Sequence, residues 1–293
     1  MKLLSKREGR RWIKMIFWEP VIGCTPCSPA CIRCGSARGL GDSLTVIHNI
    51  TQNNPAFPEN ISERTFNGVI KLQPDELKKC FSVCSQVFVC GRSDLFHEAI
   101  SVEYLKRILG VIEEHPDSTF FALTKRPRVL VDRQDQVVFP DNLWLGISAE
   151  NQALVDSRLV FLKDIHCKYR NVSLKPLLGP VDLSEYISYL DFVIVGGETG
   201  IHARPMHPDW VRKVRDQCIA ADISFQFHQW GSWGLSTGID AKIWVNTLGS
   251  ISLTNNGGQP MKLVGRKEAG WMIDGAQWDQ YPDTYRIMKC QKE

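Results

Sequence analysis

From about residue 16 to residue 230 the chain repeats one pattern: a short apolar run that reads as a buried strand, a polar or glycine-rich strand end, and often an amphipathic stretch of helical period. The apolar runs fall at 16–22, 86–90, 119–123, 143–147, 169–174, 192–195 and 224–227. Helices are predicted at 102–114, where Leu105, Ile108, Leu109 and Ile112 recur at three and four, then from the fourth strand through about 165 (Leu154, Arg158, Leu162), and at 208–221. Strand then helix, repeated, implies a parallel sheet covered by helices. Six or seven units with no switch in the pattern favour a barrel over an open sheet. The expected fold is therefore α/β, a partial or complete (βα) TIM-like barrel over 1–231, whose functional groups sit at the C-terminal strand ends. Residues 39–80, with Asn53, Asn54, Pro55 and Pro58, read as an insertion containing a short hairpin. Residues 232–293 read as a C-terminal extension packed on the barrel, with hairpin-like alternation at 243–253 and a turn at Asn255-Asn256-Gly257-Gly258.

Composition narrows the setting. With 43% hydrophobic and 23% charged residues the chain has a globular balance, and no stretch approaches the roughly 20 apolar residues of a membrane helix. The N-terminus lacks the hydrophobic region of a secretory signal, so a cytoplasmic protein with no membrane partner is expected. A net charge of +3 does not by itself mark a nucleic-acid binder, and Lys6, Arg7, Arg10, Arg11 and Lys14 read as a solvated basic segment.

Four of the ten cysteines, Cys24, Cys27, Cys31 and Cys34, fall within eleven residues directly after the first strand. Disulfides are not the expected reason in a reducing compartment, and the other six thiols read as small core residues. Metal is the better explanation. Cys27-x3-Cys31-x2-Cys34 is the spacing of most radical S-adenosylmethionine (SAM) enzymes, in which three thiolates of a [4Fe-4S] cluster leave the fourth iron open for SAM. Four cysteines can equally close a tetrahedral zinc site or saturate an electron-transfer cluster, so a non-catalytic binding module stands as the alternative.

The run Trp18-Glu19-Pro20-Val21-Ile22-Gly23-Cys24-Thr25-Pro26-Cys27-Ser28-Pro29-Ala30-Cys31-Ile32-Arg33-Cys34 resembles the motif W-N-P-V-T-G-C-T-x-V-S-P-G-C-x-x-C-Y-A of a phage-associated, three-cysteine-motif family that is filed as a domain of unknown function. The resemblance continues through Ser93-Asp94-Leu95-Phe96-His97, Leu123-Thr124-Lys125-Arg126-Pro127, Pro176-Leu177-Leu178-Gly179-Pro180, Gly196-Gly197-Glu198-Thr199-Gly200, Ala203-Arg204-Pro205-Met206 and Gln229-Trp230-Gly231, nearly the whole chain. It implies a radical-SAM-like barrel distantly similar to spore photoproduct lyase, in the host cytoplasm if phage-encoded. The family's ligands correspond to Cys24, Cys31 and Cys34, with Cys27 the alternative that completes the shorter spacing. Three departures stand out: Gly35-Ser36 replaces Tyr-Ala after the last cysteine, Lys175 replaces a glutamate, and His228 replaces a lysine. They are compatible with an altered substrate, an exchanged charge pair or lost activity.

The remaining roles follow from position at the strand ends. Gly91, Ser93 and Asp94 stand where such a barrel receives the methionyl amino group, although Ser93 or Asp94 also suits a helix cap. Ser148 and Glu150 are candidates for the ribose or methionyl group, Ser148 again doubling as a cap. Gly196 and Gly197, followed by Glu198, would let backbone approach the adenine. Lys125, Arg126, Arg204 and His207, joined by Lys175 and His228, are candidates for a phosphate-bearing substrate, with charge pairing the competing role. Trp230 reads as packing in preference to base stacking. The expected reaction is reductive cleavage of SAM and hydrogen abstraction from a nucleic-acid base or nucleotide, for modification or repair, with a peptide substrate next. The expected partners are SAM, a flavodoxin- or ferredoxin-type reductant and a protein encoded in the same gene neighbourhood.

Overall fold

The computed structural model describes residues 15–37, 44–50 and 61–282, with the hairpin segment 44–50 and 61–64 described as backbone. The basic segment before residue 15, and Asn53 to Pro58 in the insertion, lie outside the described residues.

Seven parallel strands form one curled sheet in sequential order: β1 (Met15–Trp18), β2 (Gln86–Val89), β3 (Thr119–Thr124), β4 (Leu143–Ser148), β5 (Tyr169–Leu174), β6 (Phe192–Gly196) and β7 (Ser224–Gln229). Each strand lies beside its predecessor with no reversal of direction around the sheet. That is the winding of a barrel, as opposed to a doubly wound open sheet. The outer strands β1 and β7 do not pair with each other, so the barrel is partial. The first apolar run is shorter than its sequence suggests. Pro20 has no N–H to give a parallel ladder, and β1 stops at Trp18. Val21–Ile22 then pairs antiparallel with Lys71–Leu72 of the insertion.

Four helices cover the convex side: α1 (Val102–Glu113), α2 (Pro127–Arg133), α3 (Gln152–Leu159) and α4 (Pro208–Ala220). Their starts are chemically marked. The Ser101 hydroxyl accepts from the Tyr104 N–H, the Asn151 side chain accepts from the Leu154 N–H, and the His207 ring accepts from the Asp209 N–H. Alternate residues of each strand, such as Val87 and Val89, Leu145 and Ile147, Val172 and Leu174, or Val193 and Val195, pack against Leu105, Ile108, Ile112, Val155, Leu159, Val211 and Val214 in one buried core. The other alternate set, from Phe121 and Trp144 at the base to Lys175 at the rim, faces the concave side. Trp144 and Tyr169 stack there with ring centroids 4.3 Å apart.

In the insertion, Leu44–Ile50 pairs antiparallel with Ile61–Phe66. The tail is more than the expected hairpin: Trp233–Leu235, Gln259–Leu263, Ile243–Val245 and Ile251–Ser252 form a four-stranded antiparallel sheet in that order. It closes on its own small core of Trp233, Ile243, Val245 and Met261. The tail returns to the barrel, because Trp230 donates from its backbone to Gly270 and from its indole to Met272. Among the described residues no helix is long and apolar enough to cross a membrane. Two cysteines depart from the core reading: Cys84 is disulfide-bonded and Cys80 is an exposed thiol, whereas Cys90 and Cys218 are buried and Cys167 is partly buried.

Candidate functional site

The cysteine-bearing loop leaves β1, crosses the C-terminal strand ends and is held there by side chains from β2, β3, β4 and β6. Gly23 begins it with a φ of 98°, a conformation that glycine adopts without strain. The Gly23 N–H donates to the Arg92 carbonyl, and its own carbonyl accepts the Ser93 hydroxyl at 2.6 Å. Pro29–Arg33 then forms a short 3-10 turn that buries Cys31, while Cys24 and Cys34 are partly buried and Cys27 is exposed.

Two neighbouring cations from the end of β3 reach the sulfurs. Lys125 donates to Cys31 Sγ at 3.3 Å and to the Ser28 hydroxyl at 2.6 Å, and it pairs with Glu150 at 2.5 Å. Burial disfavours its charge, but Glu150 and the Cys31 sulfur outweigh that and raise the Lys125 pKa. Arg126 places Nη1 3.8 Å from both Cys24 Sγ and Cys27 Sγ, and Nη2 2.8 Å from the Thr25 carbonyl. Its Nε donates to Glu98 at 2.8 Å, and Nη1 also meets Asp94 at 3.3 Å. These groups set the thiols apart. A hydrogen bond from the Cys27 thiol, followed by Lys125 and Ser28, stabilises a Cys31 thiolate against its burial and lowers its pKa. Cys27, the proton-holding partner, is correspondingly raised. Burial and the Asp94 charge push Cys24 up to about 11.

The buried carboxylates behind this loop are already engaged. Glu150 accepts from Ser28 at 2.8 Å and meets Arg158 at 3.4 Å, and Arg158 itself donates to the Ser148 carbonyl at 2.6 Å and the Cys27 carbonyl at 3.5 Å. Asp94 accepts from the Phe96 and Lys125 backbone N–H groups and from the Thr124 hydroxyl at 2.7 Å. Glu198 meets Arg204 at 2.5 Å and Arg33 at 3.6 Å, and Arg204 extends to the Pro29 carbonyl.

The candidates from the sequence therefore separate into groups. Cys24, Cys27, Cys31 and Cys34 do gather on one loop at the barrel mouth. Neither Ser93 nor Asp94 caps a helix: Ser93 fastens the loop, Asp94 is a hub for β3, and Ser101 is the cap. Nor is Ser148 a cap, since Asn151 has that place. Gly91 packs beside Glu19, and Gly197 is glycine because a Cβ would run into the Trp230 carbonyl, so the close approach it permits is to its own chain. Lys125, Arg126 and Arg204 are held by Glu150, Asp94, Glu98 and Glu198, the charge-pair alternative; His207 is a buried helix cap. Lys175 and His228 alone of the substrate candidates keep open surface. Three contributors escaped the sequence reading: Arg158, Glu98 and Ser28. An arginine on the apolar face of a helix was the available signal for the first, whereas Glu98 and Ser28 carry no local mark.

Among the described residues no three His, Cys, Asp or Glu side chains are arranged to hold a single metal ion, as a tetrahedral zinc site requires. An iron–sulfur cluster asks something different: soft thiolates spread around an inorganic core, with donors turned toward sulfur. The loop thiols with Lys125, Arg126 and Ser28 fit that requirement in their chemistry.

Fold and site together define a parallel α/β half-barrel with a thiol-rich loop bolted across its C-terminal mouth. The chain belongs to the DUF5131 family, described as proteins of unknown function, whose family model matches residues 10–282. Two solved structures of spore photoproduct lyase, one a point mutant and one complexed with dinucleoside spore photoproduct, are similar at 12% sequence identity. The likeness covers 95% of this chain and 76% of theirs, with TM-scores of 0.40 and 0.43. No curated protein matches.

Proposed function

We propose that this chain is a radical SAM enzyme that holds a [4Fe-4S] cluster on Cys31, Cys34 and one of Cys24 and Cys27, and acts on a nucleic-acid base or nucleotide. The observation that carries the reading is the gathering of four thiols on one loop at the C-terminal mouth of a parallel half-barrel, with Lys125 and Arg126 donating to their sulfurs. When bound and reduced, the cluster supplies the electron that cleaves SAM, and the resulting radical takes hydrogen from the substrate. The chain's own residues do the rest. Lys125 and Arg126 balance thiolate charge, Glu150 and Asp94 fix those cations, and the engaged carboxylates keep the loop in place before any ligand arrives.

Gly91, Ser148, Gly196, Gly197 and Glu198 surround the mouth and form the SAM side of the site in this reading. A flavodoxin- or ferredoxin-type protein would deliver the electron. The proposed organisation is a barrel unit over 1–231 and an extension over 232–293 that seals one side of the mouth. Anaerobic purification tests the cluster directly: brown protein with about four irons is expected. Colourless protein carrying one tightly held zinc would overturn it. Dithionite-reduced protein should then release 5′-deoxyadenosine from SAM, faster with nucleotides than with peptides. A cluster that binds SAM and never cleaves it would leave a binding module.

A further inference from the structure

The rim of β5, β6 and β7 carries cations that the cysteine loop does not use. Lys175 follows β5, His228 lies in β7, and Gly196 ends β6 between them. A Cβ added to Gly196 would come within 3.1 Å of the Lys175 side chain and 3.4 Å of His228 Cβ, so the two side chains flank the glycine on the concave face. The pairing register gives His228 its aim. Val195 is opposite Phe227 but Gly196 is opposite Gln229, which leaves His228 as the extra residue of a bulge. Bulges beside functional sites commonly redirect one side chain. Arg266 begins the short helix Arg266–Ala269 in the tail, which the Trp230 N–H bond to the Gly270 carbonyl fastens to the end of β7, and its charge acts on both Lys175 and His228.

Among the described residues no carboxylate pairs with Lys175 or Arg266. Glu150 is engaged by Lys125 and Arg158, and Glu198 by Arg204 and Arg33. Lys175, His228 and Arg266 are all exposed, yet the first two stand deep enough among protein atoms to be dehydrated. They line a recess, not an outer surface. Lys175 and Arg266, without a counter-charge, repel one another beside a neutral His228, and the arrangement gains most from an anion with several acceptor oxygens and more than one charge.

We propose that Lys175, His228 and Arg266 form a phosphate seat on the β5–β7 wall, and that it holds a phosphate group of the nucleotide substrate. Its role as a substrate site rests on the radical SAM reading, but the binding itself does not. Dehydration, Lys175 and Arg266 hold His228 down to about 4, so in the empty seat it is neutral at pH 7. The charged groups facing it are Lys175 from β5 and Arg266 from the tail, β6 contributing only Gly196. A bound phosphate raises the His228 pKa, a gain on acidification that the second protonation of the phosphate itself, with a pKa of about 6–7, opposes.

The test uses the full chain without cluster or SAM, so that failure here and failure of the cluster reading are separate results. Inorganic phosphate, a nucleoside 5′-monophosphate, its parent nucleoside and a short single-stranded oligonucleotide are titrated calorimetrically at pH 6 and pH 8. The His228 ring is followed by NMR. Phosphate and the monophosphate should bind at pH 8, where both are dianions, the nucleoside should bind at least about tenfold more weakly, and the His228 titration should move upward with phosphate. Lys175→Gln and His228→Gln should each weaken phosphate binding about tenfold or more while the thermal melt stays that of the parent. Tighter binding of the oligonucleotide than of the monophosphate would identify a strand as the source of the phosphate, and the reverse a free nucleotide. Equal affinity for nucleoside and monophosphate, or an unmoved His228 titration with both variants binding like the parent, would overturn the seat.

Discussion

Glu150 separates two roles that its position at the end of β4 allows. As a ligand for SAM it would be dispensable to the folded chain; as the anchor of the cysteine loop it would not. Its side chain is 1% exposed and meets Lys125 at 2.5 Å, Arg158 at 3.4 Å and the Ser28 hydroxyl at 2.8 Å. Glu150→Gln keeps the shape, removes the charge and turns an amide N–H₂ toward cationic donors. Breaking a buried pair by removing one partner costs about 3–5 kcal/mol. Lys125, 22% exposed, recovers some hydration, whereas Arg158 at 7% recovers little and keeps only its carbonyl acceptors. The lower end, about 3 kcal/mol, is expected, which lowers Tm by roughly 5 °C in a chain of 293 residues. Urea unfolding of the cluster-free protein at pH 7.5, with m unchanged, measures it. A loss below about 1 kcal/mol, together with lost SAM binding in the reconstituted protein, would refute the anchor and restore the ligand role.

Substitution of the thiols distinguishes cluster from staple: Cys31→Ala or Cys34→Ala should abolish iron binding after anaerobic reconstitution, but only one of Cys24→Ala and Cys27→Ala should. Equal loss from both would mean that all four ligate, with no iron left open. Gly197→Ala should be structural, destabilising by about 2–4 kcal/mol in a thermal melt, because its Cβ meets the Trp230 backbone. Glu19 gives a pH signature. Burial raises its pKa to about 7 despite the Arg92 N–H, so the folded chain binds this proton more tightly than the unfolded chain does. Stability from that proton is present below about pH 4.5 and is lost as pH rises to about 7. Glu19→Gln should remove that loss and leave the chain up to about 3 kcal/mol more stable than the parent at pH 8, read from urea midpoints at pH 5 and pH 8.

The strands were legible because each is a short apolar run closed by a glycine or a polar residue, and parallel strands buried on one face by helices need that composition. All seven appear in the structure, as does the order that excludes a double winding. Pro20 was visible too, yet the apolar run 16–22 concealed that the chain leaves the sheet at Trp18 to pair with the insertion. Local pattern carries no information on which strand a short segment will join. The site divides in the same way. The cysteines announce themselves by spacing, but the arginine and lysine partners of Asp94, Glu150 and Glu198 do not, because sequence shows a charge without its partner. Arg126 and Arg158 are 32 and 8 residues from the carboxylates they meet, and the parallel pairing of β2 with β3 brings the first pair together. Gly197 is a similar case: a glycine was rightly singled out, but the backbone it admits belongs to the Gly231 turn.

These pairings bear on how the mouth works. A loop crossing from β1 to β6 has no ladder of its own, so its position depends on the side chains beneath it. Lys125, Arg126, Arg158 and Arg204 each reach both a carboxylate of the barrel and an atom of the loop. Four such bridges fix the thiols before a metal arrives, and holding sulfur in place beforehand reduces the ordering cost of binding. The same economy leaves a residue. Once the carboxylates at the rim are taken by the loop's cations, Lys175 and Arg266 on the β5–β7 wall, with the neutral His228 of β7 beside them, have no carboxylate partner among the described residues. Neutralising the loop and leaving that wall positive concentrates the attraction for an anionic ligand at one side of the opening.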